Sequence, residues 1–157
     1  MSKVQVNQIA PDFVLKSFAG KMVRLSDYFE KKNVIIVLNR GFAWPFCQKH
    51  LAQLCADYDE FQKRDTEILV IGPEGSDRFK NYWSQNLLPF VGLPDPEHAV
   101  LKLFGQEVNL FKLGRMPAQM VIDKKGILRF VHYGHNMTDI PSNSELIEIL
   151  DEVNIPV

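Results

Sequence analysis

One stretch of this chain does most to limit what it can fold into: a buried-strand run that leads into a helix with a cysteine on its first turn. Val34-Ile35-Ile36-Val37-Leu38 is continuous, apolar and β-branched, the pattern of a strand covered on both faces. Pro45 stands where the first residue of a helix is expected, because its missing N–H costs nothing there. Cys47, Leu51, Leu54, Cys55, Tyr58 and Phe61 then recur at helical spacing as one apolar stripe. At Cys47 the free backbone N–H groups and the positive end of the helix dipole favour a thiolate, so the thiol is expected to titrate below the ~8.5 of a free cysteine. The same stripe position also suits a cysteine that only packs.

The rest of the chain alternates strand and helix. Asp12–Leu15 and Met22–Leu25 flank Ala19-Gly20 and predict a short N-terminal hairpin, followed by a helical turn from Ser26 to Phe29. Glu67–Ile71 reads as a second buried strand, Ser76–Gln85 as a helix, Phe90–Leu93 as an edge element and Ala99–Phe104 as a short helix. Gln119–Ile122 and Ile127–Val131 flank an Asp-Lys-Lys-Gly turn and form an antiparallel hairpin, and Ser144–Val153 is the last helix. This order predicts an α/β fold with a central mixed β-sheet flanked by helices, in a single domain over 1–157.

Composition narrows the function classes. A formal charge of −1 with 24% charged residues supplies no basic excess for nucleic acid. No apolar run approaches the ~20 residues that span a bilayer, and the polar start has no signal-type core, so a cytoplasmic location without membrane contact is expected. Two cysteines in 157 residues do not make a disulfide framework. Cys55, eight residues after Cys47 in mid-stripe, is expected in the core. His132-x-x-His135 has no partner cluster, and no metal site is expected from it.

Several segments together resemble a known family. Ala10-Pro11-Asp12-Phe13, Leu25-Ser26-Asp27-Tyr28, the Cys47 helix and the stretch from Met116-Pro117 to Lys125-Gly126 are similar, in order and spacing, to the peroxiredoxin-like (alkyl hydroperoxide reductase/thiol-specific antioxidant, or redoxin) branch of the thioredoxin superfamily. Asn39–Leu54 and His132–Asn143 resemble one redoxin subgroup. The resemblance covers about Ala10 to Leu150. It implies a thioredoxin-like fold with an N-terminal β-hairpin extension, and Cys47 as the peroxidatic thiol. It implies a hydroperoxide substrate, no cofactor, a thiol or thioredoxin/glutaredoxin-type reductant, and a homodimer. Pro117 matches the proline that faces the active cysteine and is usually cis.

The departures define the question. The family's Pro and Thr, seven and three residues before the cysteine, are here Arg40 and Trp44, and the family arginine falls at Pro117. Arg40 and Arg115 are therefore the candidates to hold the thiolate charged and steady the peroxide oxygens, with Cys47 as nucleophile. Trp44, Pro45 and Pro117 are candidates to line the substrate site. Trp44 also occupies the first-cysteine position of a Cys-x-x-Cys pair, which leaves a one-cysteine peroxidase resolved from outside. A thioredoxin-like thiol–disulfide oxidoreductase, and a redoxin that has lost catalysis and only binds, are the alternatives.

Overall fold

The computed structural model describes residues 3–109 and 114–156. The chain builds β1 (Val14–Lys16), β2 (Met22–Arg24), a 3₁₀ turn (Leu25–Tyr28), β3 (Asn33–Leu38), α1 (Pro45–Ala56), α2 (Tyr58–Gln62), β4 (Thr66–Gly72) and α3 (Ser76–Asn86). Then come β5 (Val91–Pro94), α4 (Ala99–Leu103), β6 (Val108–Asn109), β7 (Gly114–Arg115), β8 (Ala118–Ile122), β9 (Leu128–Tyr133) and α5 (Asn143–Val153). The main sheet has the order β5-β4-β3-β8-β9. β3 lies parallel to β4 and antiparallel to β8, so the sheet is mixed, as expected. β1 and β2 pair as the separate N-terminal hairpin.

All six residues of β3 are buried, which explains its unbroken apolar run: it is the middle strand and is covered on both sides. The two faces divide by the two-residue repeat of a strand. Val34, Ile36 and Leu38 pack with Leu25, Phe104 and Met120. Ile35 and Val37 pack with Leu51 and Leu54 of α1, Phe79 and Trp83 of α3, and Leu146 and Leu150 of α5.

Three local details differ from the expectation. The stripe that begins at Cys47 serves two helices, because the backbone leaves the helical region at Asp57 (φ −106°, ψ 14°). The last helix begins at Asn143 because Ser142 caps it, its Oγ accepting from the Glu145 N–H at 3.1 Å. The β6–β7 ladder, too short for a sequence pattern, links Val108 to Arg115.

Gly92 of β5 shows how tightly one face is filled. A Cβ there would sit 2.8 Å from the Trp83 ring and 3.0 Å from Phe79. The Trp83 ring has little freedom to retreat, since its Nε1 donates to the Phe90 carbonyl at 2.8 Å. Gly92→Ala is expected to destabilise the protein by roughly 1–3 kcal/mol, measured by urea unfolding.

Candidate active site

The site forms where β3 ends. The last pairing of β3 with β8 is Leu38 with Ala118, so the loop after Leu38 runs beside Met116 and Pro117. The loop is tied down residue by residue. The Asn39 side-chain oxygen accepts from the Gly41 N–H (2.6 Å), and Glu74 Oε1 accepts from the Phe42 N–H (2.7 Å). The Phe42 ring stacks on Tyr82 at 4.5 Å between centroids. Gly41 has φ +140°, a backbone conformation that side chains disfavour, and this turns the chain towards α1. Pro45 then opens α1, with Trp44 as the capping residue; the Trp44 side chain supplies no acceptor to the first turn.

Cys47 sits on that first turn and is 3% exposed. The expectation of a depressed thiol pKa is corrected here. Burial pushes the Cys47 thiol up, and the Glu74 carboxylate adds to this. The backbone N–H groups of Arg40 and Gly41 and the Arg40 guanidinium act in the opposite direction without overcoming it. The resting thiol is thus a closed, protonated group with the donors that would stabilise its anion already in place.

Arg40 is the decisive neighbour. It is 4% exposed, and its guanidinium lies 4.2 Å from the centre of the Trp44 ring, a cation–π stack. Its Nε donates to the Arg115 carbonyl. Its Nη1 and Nη2 are buried and have no hydrogen-bond partner among the described residues. Arg115 contributes its carbonyl to Arg40, but its own guanidinium turns elsewhere: Nη1 to Gln106 Oε1 at 3.1 Å and Nη2 to His98 Nδ1 at 2.6 Å. An arginine only donates, so His98 accepts at Nδ1. Burial and then the Arg115 cation hold His98 below its ordinary range, consistent with that neutral form.

Pro117 is buried beside the site, and its peptide bond is trans, since the described residues contain no cis peptide. This corrects the expected cis form. The Pro117 ring packs under Gly134, where a Cβ would come within 2.9 Å of its Cγ. Cys55 is corrected too: it is partly exposed and lines a cavity of about 140 Å³ with Gln48, Tyr82 and Leu88. His132 and His135 share no third ligand. His132 Nε2 pairs with Asp139 Oδ1 (2.9 Å), and the His135 backbone N–H donates to Asp139 Oδ2 (2.8 Å). No three metal-binding side chains come together among the described residues.

Two parts of the site were only half legible in sequence: His50, one turn after Cys47, could be placed to tune the thiolate but was expected on the exposed side of the helix, and it is buried instead. Its Nε2 lies against Gln119 Nε2. Burial lowers its pKa to about 4, so the ring is neutral and accepts from the amide. Tyr82 faces Cys47, and its hydroxyl is pushed up by burial and by the thiol's charge. Tyr82 was legible as the apolar side of α3, but its neighbour across the loop was not.

A single cysteine on the first turn of the helix after the central strand, opposite a buried proline, defines a thiol protein of the thioredoxin-like fold. The AhpC/TSA family model matches residues 6–131, and the chain belongs to that family. It is 30% identical over 132 residues to "Peroxiredoxin Q, chloroplastic" of Triticum aestivum, covering 83% of this chain and 59% of that protein. It is 28% identical over 138 residues to "Putative peroxiredoxin bcp" of Helicobacter pylori, covering 85% and 90%. The chain spans between 59% and 61% of the length of the first plant relatives. Its fold matches that of a yeast mitochondrial 1-Cys peroxiredoxin with a TM-score of 0.81 at 18% identity, over 94% of this chain and 75% of the other. No helix among the described residues is long and apolar enough to cross a membrane.

Proposed function

We propose that this chain is a thiol-dependent peroxidase in which Cys47 is the peroxidatic residue and Arg40 its electrostatic partner. The observation that carries this is the Arg40 head group, buried beside Cys47 with Nη1 and Nη2 unpartnered among the described residues. An unpaired buried guanidinium is costly unless an anion meets it. The Cys47 thiolate, once the thiol has lost its proton, and the departing peroxide oxygen in the reaction are two such anions. The Cys47 thiolate attacks one oxygen of ROOH; the O–O bond breaks, Cys47 becomes sulfenic acid, and the alkoxide leaves with a proton as ROH. Trp44 holds the flat face of Arg40, and Pro45 and Pro117 bound the site on either side. The substrate is a hydroperoxide.

The reductant comes from outside the chain. α1 is continuous from Pro45 to Ala56, so Cys47 and Cys55 are separated by ~12 Å of helix rise, beyond the ~7 Å between Cα atoms that a disulfide spans. Resolution therefore takes an external thiol: Cys47–SOH and R′SH give a mixed disulfide and water, and a second thiol releases the enzyme. The yeast mitochondrial 1-Cys peroxiredoxin of similar fold has a thiol resolving mechanism via glutathione/thioredoxin systems. A thioredoxin- or glutaredoxin-type reductant, a reducing cytosol and a homodimer complete the proposal. The upward push on Cys47 favours one competing reading, a redoxin that binds without turning over.

Mass spectrometry separates the two. After reduction, a stoichiometric dose of hydrogen peroxide and a sulfenic-acid trap, the adduct is expected on Cys47 and not on Cys55. An unmodified Cys47, or labelling confined to Cys55, overturns the peroxidase. A Cys47–Cys55 disulfide overturns the external resolution alone.

A further inference from the structure

Arg40 donates through Nε to the Arg115 carbonyl and stacks on Trp44, and Gln106 ties the segment that carries this carbonyl to the strand end before Arg40. Beyond the Leu38–Ala118 pair the β3–β8 ladder stops, and the backbones at Asn39 and Met116 are no longer bonded to each other as strands. Gln106, 9% exposed, fills this gap. Its Nε2 donates to the Asn39 carbonyl (3.2 Å) and to the Met116 carbonyl (3.1 Å), and its Oε1 accepts from Arg115 Nη1 (3.1 Å). Asn39 is the residue before Arg40, and Arg115 is the residue before Met116. The contacts therefore close a ring: Asn39, Gln106, Met116, Arg115 and, through the Arg115 carbonyl, Arg40.

We infer that Gln106 is a positioning residue that holds Arg40 against Cys47 by locking the loop after β3 to the loop before β8. The inference rests on the reading of Cys47 as the reactive thiol. Gln106 touches neither the sulfur nor the site of the peroxide; it acts through the carbonyl that receives Arg40 Nε. Both amide protons and one acceptor site of its oxygen go to the two loops. Both carbonyls are held by one amide, so removing it cuts the side-chain link between the two loops, while the Asn39–Ile71 and Met116–Glu107 backbone bonds remain.

Gln106→Met tests this, because methionine keeps the length and roughly the volume and removes every hydrogen bond. Two readouts are taken on the folded variant: the pH midpoint of Cys47 alkylation and kcat/KM for hydrogen peroxide. The midpoint is expected to rise by about one pH unit, and kcat/KM to fall about 10- to 100-fold. In an Arg40→Met background the same substitution is expected to add little to either, since the group being positioned is gone. A folded Gln106→Met with a wild-type midpoint and rate, or losses that add in full to those of Arg40→Met, overturns the assignment. Should Gln106→Met not fold, Gln106→Glu carries the same readouts, because it keeps the Arg115 contact and loses both amide donors. A wild type inert to peroxide whose alkylation midpoint still moves with Gln106 overturns the peroxidase and keeps the brace; an active wild type with an unmoved midpoint does the reverse.

Discussion

Cys47→Ser is expected to abolish peroxide consumption, lowering the rate by at least roughly 10³-fold to the solution background, and Cys55→Ser to leave it unchanged. A serine hydroxyl at this place is neither ionised nor nucleophilic towards an O–O bond, whereas every donor around the sulfur is arranged for an anion. The backbone N–H groups of Arg40 and Gly41 and the Arg40 guanidinium all favour the charged thiol. Arg40→Met, which keeps an apolar chain of similar length against the Trp44 ring but removes the charge, is expected to cost on the order of 10²-fold in kcat/KM, the range seen when one donor is lost from a developing negative charge. The measurement is stopped-flow consumption of hydrogen peroxide with excess small thiol. Full activity in Cys47→Ser, or loss of activity in Cys55→Ser, refutes the assignment. Because burial holds the thiol above its ordinary range, the wild-type rate is expected to keep rising on the alkaline side of neutrality as thiolate forms.

Acid destabilises this protein through His50. The ring is neutral and 6% exposed, with a pKa of about 4 against 6.5 for the same group in an unfolded chain. The folded pKa is depressed, so the contribution of His50 to stability is complete above pH 6.5 and is lost as the pH falls through 4, where the unfolded chain binds a proton that the native state refuses. The loss amounts to about 3 kcal/mol over that window. Asp12 and Asp139, both held low, add an acid-side loss of their own through their hydrogen bonds to Ser26 and His135, with burial opposing. The comparison with His50→Gln removes that background. Urea unfolding at pH 7 and pH 4 is expected to show a difference smaller by about 3 kcal/mol in the variant, which keeps an amide partner for Gln119 and has nothing to titrate. Equal differences in the two proteins would show that His50 is not buried neutral.

The parts of the molecule legible in sequence are those set by short-range repeats. The unbroken run in β3, the Pro45 helix start and the Asp-Lys-Lys-Gly hairpin each follow from a pattern over a few residues, and the structure places each as that pattern requires, whereas the stripe that starts at Cys47 is divided between two helices. Cys47 and Arg40 stood out because each occupies a defined place in a strand-to-helix turn. The state of the thiol was not legible: helix position argues for a low pKa, but burial decides it, and burial is set by how distant segments pack, Tyr82 of α3 among the groups brought close. Arg115 looked like a second cation for the site, yet its head group went to Gln106 and His98, a competition between partners that spacing does not record.

The sequence by itself determined the alternation of strand and helix, the mixed sheet and the placing of one cysteine at a helix start, because these follow from hydrophobic period and backbone chemistry within a dozen residues. Tertiary structure alone decided that Arg40 keeps two buried nitrogens without a partner among the described residues, that His50 is neutral, and that Gln106 joins two loops. Those outcomes depend on which polar groups meet when segments tens of residues apart are packed together, and on the water that packing removes.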